Sequence, residues 1–207
     1  MEKLNMGTEI IESLKNLNNG FQEDDLSLLA ITSKVELPFR DALLLSLNRK
    51  LSKKGIISTK EWKRTDLALI EDNEPLALIE LKAMYSFDSF INTRGNFKDE
   101  KFFSEMRSDK IKARKLANDK TEVYTLLTVT HPHQIIEDSN PGSTAVKYRK
   151  SINRRLRLNT REEILELADA RIVNELEKFG DIVHSGVMDA GTTFDTDVSI
   201  MVYLVKC

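Results

Sequence analysis

The amino-acid sequence predicts an α/β fold in which helices flank a mixed β-sheet. Two apolar runs, residues 66–70 and 76–82, are separated by a short stretch of turn-forming residues, which is typical of a β-hairpin. Residues 122–130 are almost all β-branched, aromatic or leucine, as in a buried central strand. Stretches with helical spacing of apolar residues precede, separate and follow these strands. Strands that alternate with helices in this way form a sheet covered by helices.

The composition is that of a globular protein. Of the 207 residues, 41% are hydrophobic and 31% are charged, and no apolar run is long enough to span a membrane. The N-terminal residues contain no apolar secretory signal, and a single cysteine, Cys207, excludes a disulfide framework or a cysteine-rich zinc site. We therefore expect a soluble, cytoplasmic protein with a single domain over residues 1–207.

The helices of the first half are predicted from apolar spacing and from residues that begin or end a helix. Residues 8–17 and 23–32 predict two short amphipathic helices, which form an N-terminal extension over residues 1–32. The next helix begins near Pro38, which is tolerated in a first turn, and ends before Gly55. Its expected core residues are Leu43, Leu44, Leu47 and Leu51.

The second half of the chain predicts two further helices and two closing strands. Residues 97–118 predict a long basic amphipathic helix, and a capping box formed by Thr160 and Glu163 begins the last helix. Residues 181–188 and 198–205 predict the closing strands. The expected core residues of the two helices are Phe103, Met106, Ile111, Leu116, Ile164, Leu167, Ala168, Ile172 and Leu176.

The charge of the chain is close to zero in total but unevenly distributed. The 31 basic and 33 acidic side chains give a net charge of −2, which by itself argues against a strongly basic nucleic-acid-binding protein. Residues 1–32 carry six acids and two lysines, whereas residues 146–161 carry seven basic residues and no acid. This basic strip predicts either a contact surface for phosphate groups or a solvated surface. Its members are Lys147, Arg149, Lys150, Arg154, Arg155, Arg157 and Arg161.

Charged residues cluster at one end of the predicted hairpin. Asp66 begins the first strand, and Glu80 and Lys82 end the second, where side chains two residues apart share a face. If the strands pair around their turn, Asp66 comes close to Glu80. Two adjacent carboxylates repel each other unless a cation lies between them, and Mg²⁺ prefers oxygen ligands. With a lysine beside them, such carboxylates suit phosphodiester hydrolysis.

This pattern resembles that of the PD-(D/E)XK nuclease superfamily, whose fold is called restriction-endonuclease-like. The family has an acid at the start of one strand and the motif (D/E)-X-K on the next. Here thirteen residues separate Asp66 from residues 80–82, which read Glu-Leu-Lys, and Thr65 replaces the usual proline before the first acid. The resemblance covers residues 34–130 and implies a mixed central sheet with the core order αβββαβ. Residues 131–207 would add a basic loop, a helix and closing strands.

The resemblance also implies a role for each residue of the motif. The expected ligands of Mg²⁺, for which Mn²⁺ could substitute, are Asp66, Glu80 and Leu81, the last through its main-chain carbonyl. Lys82 would position or activate the attacking water and stabilise the transition state. Members of the family often add an acid from the helix before the hairpin. Glu36 matches that place and would bind a second metal ion or a metal-bound water, with Asp41 as the alternative.

The implied function is Mg²⁺-dependent hydrolysis of DNA by an endonuclease of a restriction, repair or defence type. Contacts to phosphate groups, which hold the DNA backbone without reading bases, are expected from the basic helix and the basic strip. The candidates are Lys101, Lys110, Lys112, Lys147, Arg149, Arg154, Arg155 and Arg157.

Three alternatives stay open on the sequence alone. The hairpin charges could be a surface Glu–Lys pair, which stabilises a protein by at most about 1 kcal/mol. The fold could belong to a catalytically silent module that binds DNA or protein. The basic strip could also pair with the acidic N-terminal region of a second copy and form a homodimer. The pair His131 and His133 is expected in a solvent-exposed loop, without a metal ion.

Overall fold

A computed structural model of the chain describes residues 4–90 and 97–207 and contains one six-stranded β-sheet. The first three residues of the acidic N-terminal region lie outside these ranges. The helices are α1 (Met6–Lys15), α2 (Asp25–Thr32), α3 (Glu36–Leu51), α4 (Asp99–Leu116), α5 (Arg149–Leu156) and α6 (Arg161–Leu176). The strands are β1 (Ile57–Trp62), β2 (Thr65–Glu71), β3 (Glu74–Tyr85), β4 (Glu122–Pro132), β5 (Asp181–Thr193) and β6 (Thr196–Lys206). In the described ranges, no helix is both long and apolar enough to cross a membrane.

The strands lie in the order β1-β2-β3-β4-β6-β5. Strands β3 and β4 are parallel, and every other neighbouring pair is antiparallel. Parallel neighbours need a long crossover connection, which α4 provides between β3 and β4. From α3 to β4 the elements follow one another as αβββαβ. The prediction of an α/β fold with a mixed sheet flanked by helices is confirmed.

Helices cover both faces of the sheet. On one face, α1, α2, α3 and α5 pack against side chains of the central strands such as Leu81 and Leu126. On the other face, α4 and α6 pack against Leu127 and Met201. Because side chains alternate along a strand, the neighbours of Leu81 in β3 point toward α4. The fold therefore directs the two charged residues of the Glu-Leu-Lys motif to the face of α4.

The structure contains two elements, β1 and α5, that the pattern of apolar residues does not predict. Each buries one side chain, Ser58 in β1 and Ile152 in α5, and the rest of each element is exposed or half-buried. Neither segment carries an apolar periodicity, which is the main signal of secondary structure in a sequence. Pairing with β2 holds β1 in the sheet.

The predicted core of the long helices is correct in most positions and wrong in two. Phe103, Met106 and Ala168 are buried, whereas Ile111 is 57% exposed and Leu167 is 54% exposed. These two residues lie beside the buried stripe of their helices and point to solvent. The capping box at the start of α6 and the end of the α3 segment at Gly55, which adopts φ of 81°, are confirmed.

The prediction of an exposed histidine pair is wrong for His131. Strand β4 continues through Pro132, because β6 pairs with it as far as Val198. His131 is buried, its Nδ1 lies 3.0 Å from the Oγ of Ser86, and burial lowers the pKa of His131 to about 4. The Nε2 of His133 lies 2.7 Å from an oxygen of Ser199 on β6. The two histidines therefore connect β4 to neighbouring segments.

Candidate active site

One end of the β2–β3 hairpin is uneven, because β3 extends beyond its pairing with β2. The register between the two strands runs as far as Leu67 opposite Ile79, whereas β3 continues to Tyr85. Main-chain N–H groups of β3 beyond this register need acceptors from other parts of the chain, because buried N–H groups are almost always hydrogen-bonded. The candidate site lies at this end.

Two carboxylates accept these hydrogen bonds. The N–H of Leu81 donates to Oδ2 of Asp66 at 2.8 Å, and the N–H of Ala83 donates to Oε2 of Glu36 at 3.1 Å. The N–H and C=O of one residue point to the same side of an extended strand, so the carbonyl of Leu81 lies on the same edge. Each bond uses one oxygen of its carboxylate, which has a second oxygen for a ligand.

Glu36 and Asp41, the two candidates for the helix acid, have different partners. Glu36 is the first residue of α3 and reaches β3, as described above. Asp41 lies one and a half turns later and pairs with Arg40 and Lys60, each at 3.0 Å. The structure therefore brings Glu36 to the candidate site and Asp41 to the side of β1.

Glu80 is the most perturbed carboxyl group of the cluster. It is buried, and it interacts with Asp66 across the hairpin. Burial, the charge of Asp66, a hydrogen bond with Asp66 and the charge of Asp109 together raise the pKa of Glu80 to about 8. Burial also raises the pKa of Glu36, and the charge of Asp66 adds to that effect while Lys82 opposes it. The cluster is therefore a place where negative charge is disfavoured unless a cation is present.

Lys82 lies between the sheet and two acids of α4. Its Nζ is 3.5 Å from Oε2 of Glu105 and 3.5 Å from Oδ2 of Asp109, and its side chain is 17% exposed. Burial lowers the pKa of Lys82, but the carboxylates of Glu36, Asp109 and Glu105 outweigh it, so that this pKa lies above its ordinary value. The raised pKa favours the protonated form of Lys82, which donates hydrogen bonds.

The sequence motif does not predict Glu105 and Asp109 as residues of the site. They lie four residues apart, so they share one face of α4, beside its buried residues Met106 and Ala113. Their position could have indicated this from the sequence, because an acid beside the buried stripe of a helix lies close to the sheet that the helix covers.

The cluster contains oxygen atoms of the kind that hard divalent cations prefer as ligands. Asp66 and Glu80 bring two carboxylates together, and the Leu81 carbonyl is a third oxygen on the same edge. Burial and repulsion from Asp66 raise the pKa of Glu80, and a cation between the carboxylates would relieve that repulsion. Within residues 4–90 and 97–207, no group of three or more His, Cys, Asp or Glu side chains could hold a metal ion. The candidate set has two such side chains and a main-chain oxygen.

The three lysines of α4 that were candidates for DNA contact have different positions. The ammonium of Lys101 is 3.7 Å from Glu105, that of Lys112 is 2.8 Å from Asp109, and both lysines are exposed. Both therefore adjoin the acids that hold Lys82. Lys110 instead donates to the main-chain carbonyl of Phe179, just beyond the end of α6.

The five candidates for DNA contact in the basic strip divide into two groups. Arg149, Arg154 and Arg157 line a surface cavity of about 540 Å³, where Arg149 forms an ion pair with Asp138 at 2.5 Å. The other two candidates lie over aromatic rings near the end of β3. They are Lys147, 5.4 Å from the ring centre of Tyr148, and Arg155, 4.1 Å from that of Phe90.

Comparison with known proteins identified no relative of this chain. A scan against protein-family models and searches of curated proteins and of solved structures found no match for this chain. The resemblance of residues 66–82 to the PD-(D/E)XK motif therefore stays a prediction, and the case for a function depends on the residues described above.

Proposed function

We propose that this protein is a Mg²⁺-dependent endonuclease with a restriction-endonuclease-like fold, which hydrolyses phosphodiester bonds of DNA in the cytoplasm. The main support is that Asp66 and Glu80 adjoin at the uneven end of the β2–β3 hairpin, where Glu36 interacts with both Asp66 and Lys82. Charged groups in such buried surroundings cost free energy unless they are paired. An exposed ion pair, the structural alternative, does not explain Glu80, whose pKa is raised by burial and by its acidic neighbours.

Each residue has a defined part in this proposal. The residues that would hold Mg²⁺ are Asp66, Glu80 and, through its carbonyl, Leu81. When bound, the ion would stabilise negative charge that develops on the scissile phosphate. Lys82 donates a hydrogen bond to a phosphate oxygen or to the attacking water, because its proton is held by the surrounding carboxylates. Glu36, whose pKa is raised by burial, is suited to accept a proton from that water.

Metal-dependent cleavage is the first expected result. Purified protein should cut DNA in the presence of Mg²⁺ or Mn²⁺ and should be inactive in EDTA, because the paired carboxylates need a cation between them. The measurement is gel analysis of supercoiled plasmid, duplex, single-stranded and branched DNA. Lys82→Ala, purified in parallel, is the control for contaminating nuclease and should give no cleavage above background. Absence of cleavage of all four substrates with both metal ions would contradict the proposal.

A second candidate function is supported by the hydrogen bonds of the cluster. Asp66 and Glu36 each accept a main-chain N–H of β3, and Lys82 is neutralised by α4. These contacts could serve the fold of a catalytically silent DNA-binding module. Such a module would bind DNA with a strong salt dependence that Lys82→Ala leaves unchanged. Mg²⁺ would then fail to raise the melting temperature, whereas a metal site stabilises the protein that binds it.

Asp109 is expected to act as a positioning residue for Lys82. Asp109→Asn should lower the rate at saturating DNA about tenfold, which corresponds to about 1.4 kcal/mol in the barrier, because the ammonium loses one of its two acidic partners on α4. DNA affinity should stay equal or rise, since the change removes a negative charge. The measurement is single-turnover cleavage over a range of protein concentrations.

The matched control for this change is Glu100→Gln. Glu100 lies on the same helix, is exposed and is not a partner of Lys82, so the loss of one negative charge is the same. The rate of this variant should stay within about twofold of that of the wild type. Asp109→Glu should restore part of the rate. Equal rates for Asp109→Asn and the wild type would show that α4 does not position Lys82.

A further inference from the structure

Aromatic side chains gather at the end of β3, beyond the candidate active site. The rings of Tyr85 and Phe87 stack with centres 5.0 Å apart and an interplanar angle of 22°. The ring of Tyr148 stands edge-on to both, 5.4 Å from the centre of Tyr85 and 6.1 Å from that of Phe87. Tyr85 and Phe87 are buried, whereas Tyr148 is 47% exposed. The buried pair therefore supports an aromatic ring that reaches the surface.

Cations surround this aromatic group. Lys147 lies 5.4 Å from the ring centre of Tyr148, and Lys98 lies 5.8 Å from that of Phe87. Two neighbouring pairs repeat the arrangement: Arg155 over Phe90 and Lys34 over Phe102. Interleaved cations and aromatic rings are the usual surface for single-stranded nucleic acid, where cations follow the phosphates and rings stack on bases.

The backbone of Tyr148 is fixed in an unusual conformation. Its φ of 61° and ψ of 20° lie in the left-handed region, which a bulky residue rarely adopts. The N–H of Lys147 donates to the carbonyl of Ile31 at 2.8 Å, and the carbonyl of Tyr148 accepts from Ser151 at 2.8 Å. These bonds hold the segment on both sides of Tyr148. An outlier that the surrounding structure holds in place is a known feature of functional sites.

The aromatic group is also close to the candidate active site along the sheet. Tyr85 follows Lys82 by three residues in β3, which is a distance of about 10 Å along an extended strand. By the alternation of side chains along β3, the ring of Tyr85 points to the opposite face of the sheet from the side chain of Lys82. A DNA strand that passes around the end of β3 could therefore contact the candidate site with one nucleotide and Tyr148 with another. In a duplex the faces of the bases are covered by their neighbours, so a nucleotide can stack on this ring only if it is unpaired.

We propose that Tyr148 stacks on an unpaired base, so that the substrate is DNA with a single-stranded segment beside the scissile phosphate. This inference rests on the proposed nuclease function for its substrate, but it concerns binding and can be tested without cleavage. Duplex DNA offers Tyr148 no base face, and the phosphates of either form can be bound by the lysines and arginines nearby.

The test is binding in EDTA, measured by fluorescence anisotropy with a labelled single-stranded oligodeoxynucleotide. Tyr148→Asn removes the ring, and asparagine tolerates the left-handed backbone, so folding is preserved. We expect about a tenfold loss of affinity for the single strand with Tyr148→Asn and wild-type affinity with Tyr148→Phe. Affinity for an abasic strand of equal length, which keeps the phosphates and lacks the bases, should be the same for all three proteins.

Lys147→Ala is the matched control, because it removes a charge beside the same ring. This variant should weaken binding to normal and abasic strands equally and reduce the salt dependence. The stacking inference is overturned if Tyr148→Asn binds the normal strand as tightly as the wild type, or if it loses as much affinity on the abasic strand. If the protein cleaves plasmid DNA but Tyr148→Asn binds the single strand as tightly as the wild type, this inference alone is refuted. Base-dependent binding without any cleavage would refute only the nuclease proposal.

Discussion

Lys82→Met is expected to lower the rate of DNA cleavage about 10³-fold, or about 4 kcal/mol in the activation barrier. Methionine keeps most of the length of the side chain and removes the ammonium. Because Lys82 is protonated and lies between Glu105 and Asp109, the lost function is that of a positive hydrogen-bond donor. The measurement is single-turnover cleavage at saturating protein and Mg²⁺, with circular dichroism to verify the fold.

The control for Lys82→Met is Lys112→Met. Lys112 pairs with Asp109 on the same face of α4, but its side chain is exposed. It is expected to contact phosphate, so its loss should reduce the salt slope of DNA binding by about one and the cleavage rate only a few-fold. A rate for Lys82→Met within tenfold of the wild type would remove Lys82 from the reaction. Equal losses in both variants would indicate a general effect of positive charge.

The pH dependence of this reaction follows from the same charges. A lysine with a raised pKa keeps its proton throughout the neutral range, so Lys82 should not cause a loss of rate on the acidic side. Such a loss should come from Glu80 and Glu36, because burial raises the pKa of both carboxyl groups and so brings their protonation toward neutral pH. The pH dependence of the rate therefore distinguishes a lysine that stabilises negative charge from a lysine that accepts a proton. The sequence motif alone does not decide between these two roles.

The sequence predicts the hairpin well because its signals are local. Turn-forming residues at 71–75 fix which strands pair, and the pairing then places Asp66 next to Glu80. The alternation of side chains directs Glu80 and Lys82 to one face. The sequence does not predict which helix covers that face, since this depends on the packing of distant apolar residues. The contacts of Lys82 with Glu105 and Asp109 are therefore visible only in the structure.

The aromatic group at the end of β3 also depends on contacts between distant segments that the sequence does not predict. Tyr85 ends a strand and Tyr148 precedes a short polar helix, so sixty-three positions of sequence separate two rings whose centres are 5.4 Å apart. Helix α5 has one buried side chain, Ile152, and no apolar periodicity by which it could be predicted. Charge counting detects the basic strip, but it cannot detect that Lys147 and Arg155 lie over aromatic rings.

Loss of the ion pair that joins α4 to α6 is expected to have the largest effect on stability. Asp99, in the first turn of α4, is fully buried and accepts two hydrogen bonds from Arg171 of α6, from Nε and Nη2, both at 2.7 Å. The guanidinium of Arg171 also lies 3.5 Å from the ring centre of Phe97. Because α4 carries Glu105 and Asp109, this pair supports the helix that holds Lys82.

Arg171→Met is expected to lower the free energy of unfolding by about 3–5 kcal/mol, because it leaves the carboxylate of Asp99 buried without its partner. Urea denaturation followed by circular dichroism measures the change. Lys178→Met removes an exposed cation that pairs with Glu175 at 2.6 Å, just beyond the end of α6, and should cost less than about 1 kcal/mol. The double variant Asp99→Leu, Arg171→Leu should recover much of the loss, since both charges are then removed. If Arg171→Met unfolds at the same urea concentration as Lys178→Met, the buried pair does not hold α4 in place. The position of Lys82 would then depend on the apolar packing of α4 alone.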